Sequence, residues 1–321
     1  MKNILVVGAG GQIGSELVPH LQKIYGTNNV VAADINTNCA HHFQNGPFEV
    51  LDALDAQKFA ELVHKYKIDT IFNLVALLSA TGERNPQLAW QINMGALMNS
   101  LEIARESNCA VFTPSSIGAF GPTSPKDNTP QDTIMRPTTI YGICKVTGEM
   151  LSDYYFLKYG VDTRSVRFPG IISNVTLPGG GTTDYAVEIY YEAIQQKHYV
   201  CPLPEGTYLD MMYMPDALDA CVQLMEADPA KLKHRNSFNV TAMSFEPSQI
   251  YAAIKKRISD FTMEYNIDPV KKAIADSWPN YMDDSCAREE WGWNPKWNLE
   301  TMTDDMLKVI GERFKAGLLA K

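Results

Sequence analysis

NILVVGAGGQIG, residues 3–14, is the segment from which the architecture of this chain can be read. A short apolar run at 3–7 leads directly into glycines at positions 8, 10, 11 and 14, and an amphipathic stretch then extends from Gln12 to about Tyr25. A second apolar run follows at 30–33. Strand, glycine turn, helix and strand in this order form a βαβ unit, which implies a parallel sheet.

The same alternation continues through the first half of the chain. Short, continuous apolar runs predict further strands at 48–50, 70–74, 110–113 and 162–167. Amphipathic stretches predict helices at 55–65, 87–106 and 141–159. Beyond about residue 168 the pattern changes to helices at 186–196, 216–227 and 247–258, with isolated strands such as 237–240. The sequence therefore predicts an α/β fold, a Rossmann-type doubly wound parallel sheet with a smaller C-terminal lobe.

Composition narrows the class of protein. The chain has 321 residues, of which 45% are hydrophobic, so a sizeable core is available. The net charge of −9 provides no positive field for nucleic acid or an anionic membrane. The chain has no apolar run long enough to span a bilayer, and a first strand beginning by Asn3 leaves no room for a signal peptide. Six scattered cysteines without a CxxC pair are typical of reduced thiols, so we expect a cytoplasmic protein with no nucleic-acid or membrane partner.

The glycine turn predicts a dinucleotide site. The G-x-G-x-x-G pattern is not matched, because position 13 is isoleucine, but a GxxGxxG spacing is. Such a turn lets the backbone approach a pyrophosphate and offers it the N–H groups of a helix N-terminus. Taken alone, it could also be an ordinary strand–helix turn. We expect cofactor contacts from the whole turn: Gly8, Gly10, Gly11, Gln12, Ile13 and Gly14.

Asp34 identifies the cofactor more closely. It lies 20 residues past Gly14 at the end of the second predicted strand, where a carboxylate can accept hydrogen bonds from the adenine-ribose hydroxyls. That carboxylate repels a 2′-phosphate, and no Lys or Arg follows at 35–37, so NAD is predicted rather than NADP. Asp52, after the third strand, suits the adenine amino group, although a plain loop aspartate explains it nearly as well. We place an NAD-binding domain at 1–165 and a mainly substrate-binding lobe at 166–321, interleaved with the first domain.

Three side chains further along could carry acid–base chemistry. Tyr141 and Lys145 are four residues apart, which places them on one face of a helix, and Ser116 stands 25 residues before Tyr141. A fixed ammonium favours the ionised form of a neighbouring phenol. With a serine hydroxyl beside them, these groups can move a proton on and off an alcohol. On its own, a Tyr–Lys pair on a helix face is common and usually has no function, so its meaning depends on the serine and the nucleotide turn.

Together these features resemble the extended short-chain dehydrogenase/reductase family. Within that family, six long segments are similar to the NAD-dependent L-threonine 3-dehydrogenases: ALLSATGE (76–83), PSSIGAFGPTSP (114–125), RPTTIYGICK (136–145), RFPGIIS (167–173), PGGGTTDYA (178–186) and MMYMPDA (211–217). One detail departs from the commonest pattern, because Phe120 stands where many relatives carry tyrosine. The resemblance implies oxidation of L-threonine to L-2-amino-3-oxobutanoate with hydride transfer to NAD.

The resemblance also implies roles for individual residues. Tyr141 is expected to be the general base, Lys145 to favour its phenolate and hold the nicotinamide ribose, and Ser116 to orient the substrate hydroxyl. Ser115 is the neighbouring alternative to Ser116. Asn93 either relays the proton through water or merely kinks its helix. Further contacts are expected to the cofactor from Ala53, Leu77 and Ile171, and to the substrate from Ser79, Gly181, Thr182 and Thr183.

The role of Asp184 has two interpretations. Asp184 could attract the substrate ammonium, but a helix N-cap explains it at least as well.

Alternative functions are also to be considered. A nucleotide-sugar epimerase or dehydratase is the main alternative. Lys197 is the only Lys or Arg between Ser173 and Met214, which gives a diphosphate little to bind. An NAD-sensing regulator without catalysis typically lacks the Tyr/Lys pair. The histidine spacing shows no HxH or HxxxH pattern, so no metal site is expected.

Oligomeric state is less constrained by the sequence. Relatives pair the helices around the Tyr/Lys motif into a dimer interface, and we expect a homodimer. Apolar positions on these helices permit that and equally permit core packing: Met94, Leu97, Met98, Leu101, Met150, Leu151 and Tyr155. The late tryptophans at 278, 291, 293 and 297 are interpreted as packing within the C-terminal lobe.

Overall fold

The computed structural model describes residues 1–43, 45–177, 179 and 181–318. The strands are β1 Ile4–Val7, β2 Val30–Asp34, β3 Phe48–Val50, β4 Thr70–Asn73, β5 Ala110–Phe112, β6 Ser115–Ser116, β7 Thr163–Arg164, β8 Val166–Phe168, β9 Gly170–Ile172, β10 His198–Cys201, β11 Leu209–Tyr213, β12 Phe238–Asn239, β13 Met243–Phe245 and β14 Thr262–Tyr265. The α-helices are α1 Gln12–Tyr25, α2 Ala56–Lys65, α3 Ser79–Arg84, α4 Pro86–Ser107, α5 Ile140–Tyr159, α6 Tyr185–Gln195, α7 Met214–Glu226, α8 Pro247–Lys255, α9 Pro269–Ala275, α10 Ser285–Trp291 and α11 Leu299–Lys315.

A parallel six-stranded sheet organises the first half of the chain. Its strand order is β3-β2-β1-β4-β5-β7, with every neighbouring pair parallel. Alternate residues of β1 point to opposite faces: Ile4 and Val6 enter a core with α1 and α7, whereas Leu5 and Val7 enter a core with α2, α4 and α5. Helices therefore cover both faces, and the predicted doubly wound α/β fold is confirmed.

The second half of the chain builds its own core and also contributes to the first. Buried side chains of α6, β11, α8 and α11 form a separate apolar cluster. Helix α7, by contrast, packs with α1 on the central sheet, and Phe238 of β12 joins the same core. The domain boundary at 165 remains a prediction. No helix in the described part of the chain is long and apolar enough to cross a membrane.

One predicted strand is wrong in an informative way. The run at 162–167 is divided at Ser165 into β7, which pairs with β5, and β8, which pairs with β6 and β12. The backbone N–H of Ser165 donates to the carbonyl of Arg235, and its own carbonyl accepts from Ser237 and Phe238. The chain changes hydrogen-bonding partners at this residue, so an unbroken apolar run serves two sheets.

Most of the apolar positions named for a possible interface on α4 and α5 are used by the core of this chain, and the homodimer remains a prediction. Met94, Leu97, Leu101 and Tyr155 are buried in this chain's own core, and Met98 and Leu151 pack against the same core. Met150, one of the named positions, is 59% exposed, and Ile143, Tyr154 and Leu157 of the same helix are exposed as well, Leu157 at 81%. Their spacing places them along one stripe of the helix.

Candidate active site

The glycine turn between β1 and α1 has the shape that a pyrophosphate requires. Gly8 has a φ of +81°, in the left-handed region that favours glycine. A Cβ on Gly14 would lie 2.5 Å from the Gly8 carbonyl oxygen, so glycine is required there for close packing. Helix α1 begins at Gln12, and the N–H groups of its first turn are the donors that helix N-termini offer to anions. These residues fit a dinucleotide.

Asp34 ends β2 beside this turn and is tied to it. Its Oδ2 accepts a hydrogen bond from the Gly10 N–H at 2.8 Å, and its Oδ1 accepts from the Asn36 N–H at 2.8 Å. The carboxylate therefore shapes the turn in addition to any role toward ribose. Ile35, the next residue, is 65% exposed. The contact of Asp34 with ribose stays a prediction.

The next loop along the sheet edge gives a less specific result. Asp52 is exposed, and its Oδ1 accepts from the Leu54 N–H at 2.9 Å, the geometry of an ordinary aspartate turn. Ala53 is buried, and its carbonyl accepts from the Asn99 amide at 2.8 Å. Both contacts agree with a well-ordered loop, and the expected contacts with adenine remain predictions.

A cleft of about 160 Å³ opens at the carboxyl ends of the central strands. It brings together many of the predicted site residues: Gln12, Ile13, Ser79, Ser116, Tyr141, Lys145, Ile171, Gly181, Thr182 and Thr183. Leu77 is not part of the lining, whereas its neighbour Leu78 is. The sequence thus predicted residues from six separate segments that the fold gathers at one place, where ligands bind in doubly wound sheets.

Tyr141 and Lys145 lie in the first turns of α5. Thr139 caps this helix by accepting a hydrogen bond from the Gly142 N–H at 3.1 Å. The Nζ of Lys145 donates to the carbonyl oxygen of Pro114 at 2.6 Å and lies 5.3 Å from the centroid of the Tyr141 ring. The backbone at Pro114, just before β6, therefore fixes the ammonium beside the phenol.

The two serines have different environments. A Cβ on Gly118 would lie 3.3 Å from the Tyr141 ring and 3.5 Å from the Ser116 Oγ, so those side chains flank one point. The Ser116 Oγ also accepts from the Gly118 N–H at 3.1 Å. The Ser115 hydroxyl instead donates to the buried carboxylate of Glu149. Because adjacent strand residues point to opposite faces, only Ser116 presents its hydroxyl beside Tyr141.

Asn93 has a use that sequence reasoning missed. Its Oδ1 accepts from the Leu77 N–H at 2.6 Å, and its Nδ2 donates to the Leu77 carbonyl at 3.2 Å. Helix α4 runs without interruption through this residue. The side-chain amide therefore holds the loop that follows β4, which no local pattern could have indicated.

The predicted substrate side of the cleft is built on a short helical turn at Thr182–Asp184. Thr182 is 1% exposed, and its hydroxyl has no hydrogen-bond partner among the residues described. The Asp184 Oδ2 accepts from the Gly181 N–H at 2.6 Å, which supports its interpretation as a cap. Pro178 and Gly180 of the predicted glycine loop lie outside the described residues.

Trp278 was predicted to serve packing alone, and this is incomplete. Its side chain is 6% exposed within the second core, but it also lines the cleft together with Phe168 and Thr182. It follows α9, nearly a hundred residues after the turn at 182–184. Only the three-dimensional fold brings it there. Trp291 and Trp293 pack in or against the first core.

A strap at 173–177 joins the C-terminal lobe to the cofactor turn. Ser173 donates to the Glu16 carboxylate, and the Thr176 hydroxyl lies 3.0 Å from that of Ser15, both on α1. Burial raises the pKa of Glu16. From the other side, Arg313 of α11 donates to the carbonyls of Asn174 and Val175. The strap is thus held at the N-terminal turns of α1.

One group of metal-type side chains occurs among the described residues, away from the cleft. His234, Cys286 and Glu290 bring potential ligand atoms within 4.8 Å of one another. The Glu290 carboxylate, however, contacts the His234 ring and accepts from the backbone N–H groups of Lys233 and His234. Its oxygens are thereby used by protein partners.

Comparison with known proteins identifies close relatives. Residues 4–241 match the model of the NAD dependent epimerase/dehydratase family. An uncharacterized epimerase/dehydratase of Staphylococcus aureus (strain MRSA252) is 56% identical over 314 residues, covering 98% of both chains. L-threonine dehydrogenase from Clostridium difficile superposes with a TM-score of 0.94 at 55% identity, covering 98% of both chains. The GalE-like L-threonine dehydrogenase from Cupriavidus necator, in its holo form, gives 0.93 at 48% identity over 95% of this chain and 99% of that one.

Proposed function

The chain belongs to the NAD-dependent epimerase/dehydratase family, and on that basis we propose that it is an NAD-dependent L-threonine 3-dehydrogenase. It oxidises L-threonine to L-2-amino-3-oxobutanoate. The observation that carries this proposal is the assembly of Tyr141, Lys145 and Ser116 in one cleft beside the glycine turn. The similarity to L-threonine dehydrogenases over nearly the whole chain supports the choice of substrate.

The reaction separates a hydride and a proton from the substrate's third carbon and its hydroxyl. When bound, the nicotinamide of NAD supplies the hydride acceptor. Tyr141 takes the hydroxyl proton as general base. Lys145, held by the Pro114 carbonyl, favours the phenolate by its charge. Ser116 donates a hydrogen bond to the substrate oxygen and sets its orientation toward Tyr141.

Recognition of a small amino acid follows from the opposite wall. The buried Thr182 hydroxyl and the Gly181 and Thr183 segment offer hydrogen bonds to a carboxylate, with Ser79 on the other side of the cleft. Phe168 and Trp278 provide apolar surface for the substrate methyl group. Between Ser173 and Met214 the sequence has a single Lys or Arg, Lys197, which gives the diphosphate of a nucleotide sugar little to bind.

The proposal also covers the choice of cofactor, the division into domains, the oligomeric state and the cellular compartment. Asp34 disfavours a 2′-phosphate, so NAD is used in preference to NADP. We place the cofactor in residues 1–165 and most substrate contacts in 166–321. The exposed stripe of α5 supports a homodimer. Six free cysteines, five of them buried, agree with a reducing compartment such as the cytoplasm.

The test is a spectrophotometric screen of the purified protein with NAD. The panel contains L-threonine, L-allo-threonine, D-threonine, L-serine and a UDP-sugar, and NADH absorbance is followed. We expect rapid NADH formation with L-threonine, and aminoacetone as the decarboxylated product. Interconversion of the UDP-sugar without NADH formation from any amino acid would overturn the proposal in favour of an epimerase.

A further inference from the structure

We propose that Glu149 is a positioning residue for this reaction. Held by Arg167, it binds the Ser115 hydroxyl and thereby fixes the strand that carries Ser116. The inference rests on the proposed function and extends it. Glu149 lies on α5 one helical turn beyond Lys145, so it shares a helix face with the Tyr141–Lys145 pair. Its carboxylate does not line the substrate cleft.

The contacts of Glu149 are specific and enclosed. Its Oε1 accepts from the Ser115 hydroxyl and from Arg167 Nε at 3.0 Å, while its Oε2 accepts from Arg167 Nη2 at 2.8 Å. The Glu149 and Arg167 side chains are 6% and 5% exposed. A bidentate pair between a planar guanidinium and a carboxylate defines both distance and angle. Glu149 therefore has one well-defined orientation.

Arg167 is anchored in turn by a different part of the chain. Its Nη1 donates to the Gln131 carbonyl at 2.8 Å and to Asn239 Oδ1 at 3.0 Å, and its guanidinium lies 5.2 Å from the centroid of the Phe120 ring. The Asn239 amide donates to the carbonyls of Thr129 and Asp283. A network with partners at every step resists displacement of any one member.

The consequence for the site runs through Ser115. This residue stands between Pro114, whose carbonyl holds Lys145, and Ser116, whose hydroxyl faces Tyr141. Fixing the Ser115 side chain on the far side of the strand sets the rotation of β6. That rotation decides where the Pro114 carbonyl and the Ser116 hydroxyl point. A small cavity of about 30 Å³ is lined by Ser115, Lys145 and Glu149 together, which confirms that the three groups adjoin.

Two variants separate this role from a general effect on folding. Ser115→Ala removes the hydroxyl that Glu149 holds but leaves the Glu149–Arg167 pair intact. Glu149→Gln keeps the shape of the side chain and removes the charge that matches Arg167. We expect each to lower kcat by about 10- to 100-fold, because misplacement of reacting groups by about an ångström has effects of that size. We also expect NAD affinity to be retained and the acidic limb of the kcat profile to move to higher pH, since Lys145 no longer favours the phenolate as well.

Matched controls are available in the same chain. Ser100→Ala removes another fully buried serine hydroxyl, one that bonds only to the Ala96 carbonyl of its own helix. Asp162→Asn neutralises a carboxylate paired with the buried Arg164 at 2.8 Å, outside the cleft. Both should leave the pH profile unchanged even where they lower stability. If Glu149 had a purely structural role, the pH profile of kcat would be unchanged in all four variants.

The outcomes are distinguishable from failure of the proposed function. Ser115→Ala with wild-type kcat and an unchanged pH profile overturns the inference, and this variant decides the matter if Glu149→Gln does not fold. If the wild-type protein does not oxidise L-threonine, the proposed function fails on its own. In that case the readout is the ionisation of Tyr141 in the NAD complex instead of kcat. It is measured by ultraviolet titration, as the difference between the wild-type chain and Tyr141→Phe. An identical titration in the Ser115→Ala background would overturn the inference.

Discussion

The Nζ of Lys145 lies 5.3 Å from the centroid of the Tyr141 ring. The hydrogen bond from the same Nζ to the Pro114 carbonyl fixes the ammonium at that place, because Pro114 directly precedes the short strand β6 that carries Ser116. A positive charge held beside a phenol favours the deprotonated form that a general base requires. Base and cation thus share one helix, and the backbone just before β6 holds the cation in place.

Replacement of Tyr141 by phenylalanine should remove the base and little else. We expect kcat with L-threonine to fall by about 10²- to 10⁴-fold, the usual contribution of a general base, with NAD affinity retained because Lys145 and the glycine turn remain. Stopped assays of NADH formation and fluorescence titration with NADH measure the two quantities. Tyr208→Phe, at an exposed tyrosine, is the control. Full turnover in Tyr141→Phe would exclude it as the base.

Cofactor preference should respond to the end of β2. In the double variant Asp34→Ala/Ile35→Arg, a repulsive carboxylate is lost and an exposed position gains a cation for a 2′-phosphate. We expect the ratio of kcat/KM for NADP to that for NAD to rise by about 10- to 100-fold, the value of a charged hydrogen bond. Absolute rates should fall, because Gly10 loses its acceptor. Asp34→Ala alone separates the two effects, and an unchanged ratio in the double variant means that Asp34 does not face the ribose.

Stability should decline as the pH rises through the neutral range, because of one buried acid. Complete burial raises the pKa of Asp210 to about 8 from its ordinary value of 3.8. Between about pH 4 and pH 8 the unfolded chain releases this proton while the folded chain retains it, so unfolding becomes easier by up to about 5 kcal/mol by pH 8.

Asp210→Asn removes that ionisation. Its free energy of unfolding should therefore vary less with pH than that of the wild-type chain. The measurement is a urea titration at several values from about pH 5 to about pH 8, the range in which the raised pKa of Asp210 makes stability depend on pH. The slope with pH is compared rather than the stability at one pH, because Asp210 also accepts hydrogen bonds from Thr241 and Met282 and the substitution changes those as well. Asp55→Asn, at an exposed helix cap, should retain the wild-type slope. Parallel slopes for Asp210→Asn and wild type would contradict the assignment.

Self-association should depend on the exposed stripe of α5. Leu157 is 81% exposed, so Leu157→Glu adds a charge to the proposed interface without disturbing the core. We expect the homodimer to dissociate to monomers, measured by light scattering coupled to gel filtration. Val270→Glu changes an apolar residue of similar exposure, 62%, on α9 and should leave the dimer intact. A dimer that persists in Leu157→Glu would place the interface elsewhere.

Local patterns were sufficient for the central sheet and the reactive pair. Glycine spacing at 8, 11 and 14 reflects the close approach of the turn to α1, and Tyr141 and Lys145 are neighbours by helix periodicity alone. Both depend on residues close together in the chain, so the sequence contains the information directly.

Features that depend on distant contacts could not be predicted. The division at Ser165 depends on hydrogen bonds with residues 235–238, and Trp278 reaches the cleft only through the packing of the C-terminal lobe. Asn93 appears as a possible relay in the sequence but holds Leu77 in the structure. The apolar residues of α4 and α5 could not be divided between core and surface, because either use gives the same periodicity.

The pairing of β6 with β8 rather than with β5 has a consequence for turnover. Ser116 belongs to the small sheet β12-β8-β6. Tyr141 and Lys145, in contrast, lie on α5, a helix that packs against the large sheet. Helix α5 is nevertheless tied to the segment of β6, because Lys145 donates to the Pro114 carbonyl and Glu149 accepts from the Ser115 hydroxyl. For turnover this means that base, cation and serine keep their relative positions through hydrogen bonds that cross from one sheet to the other.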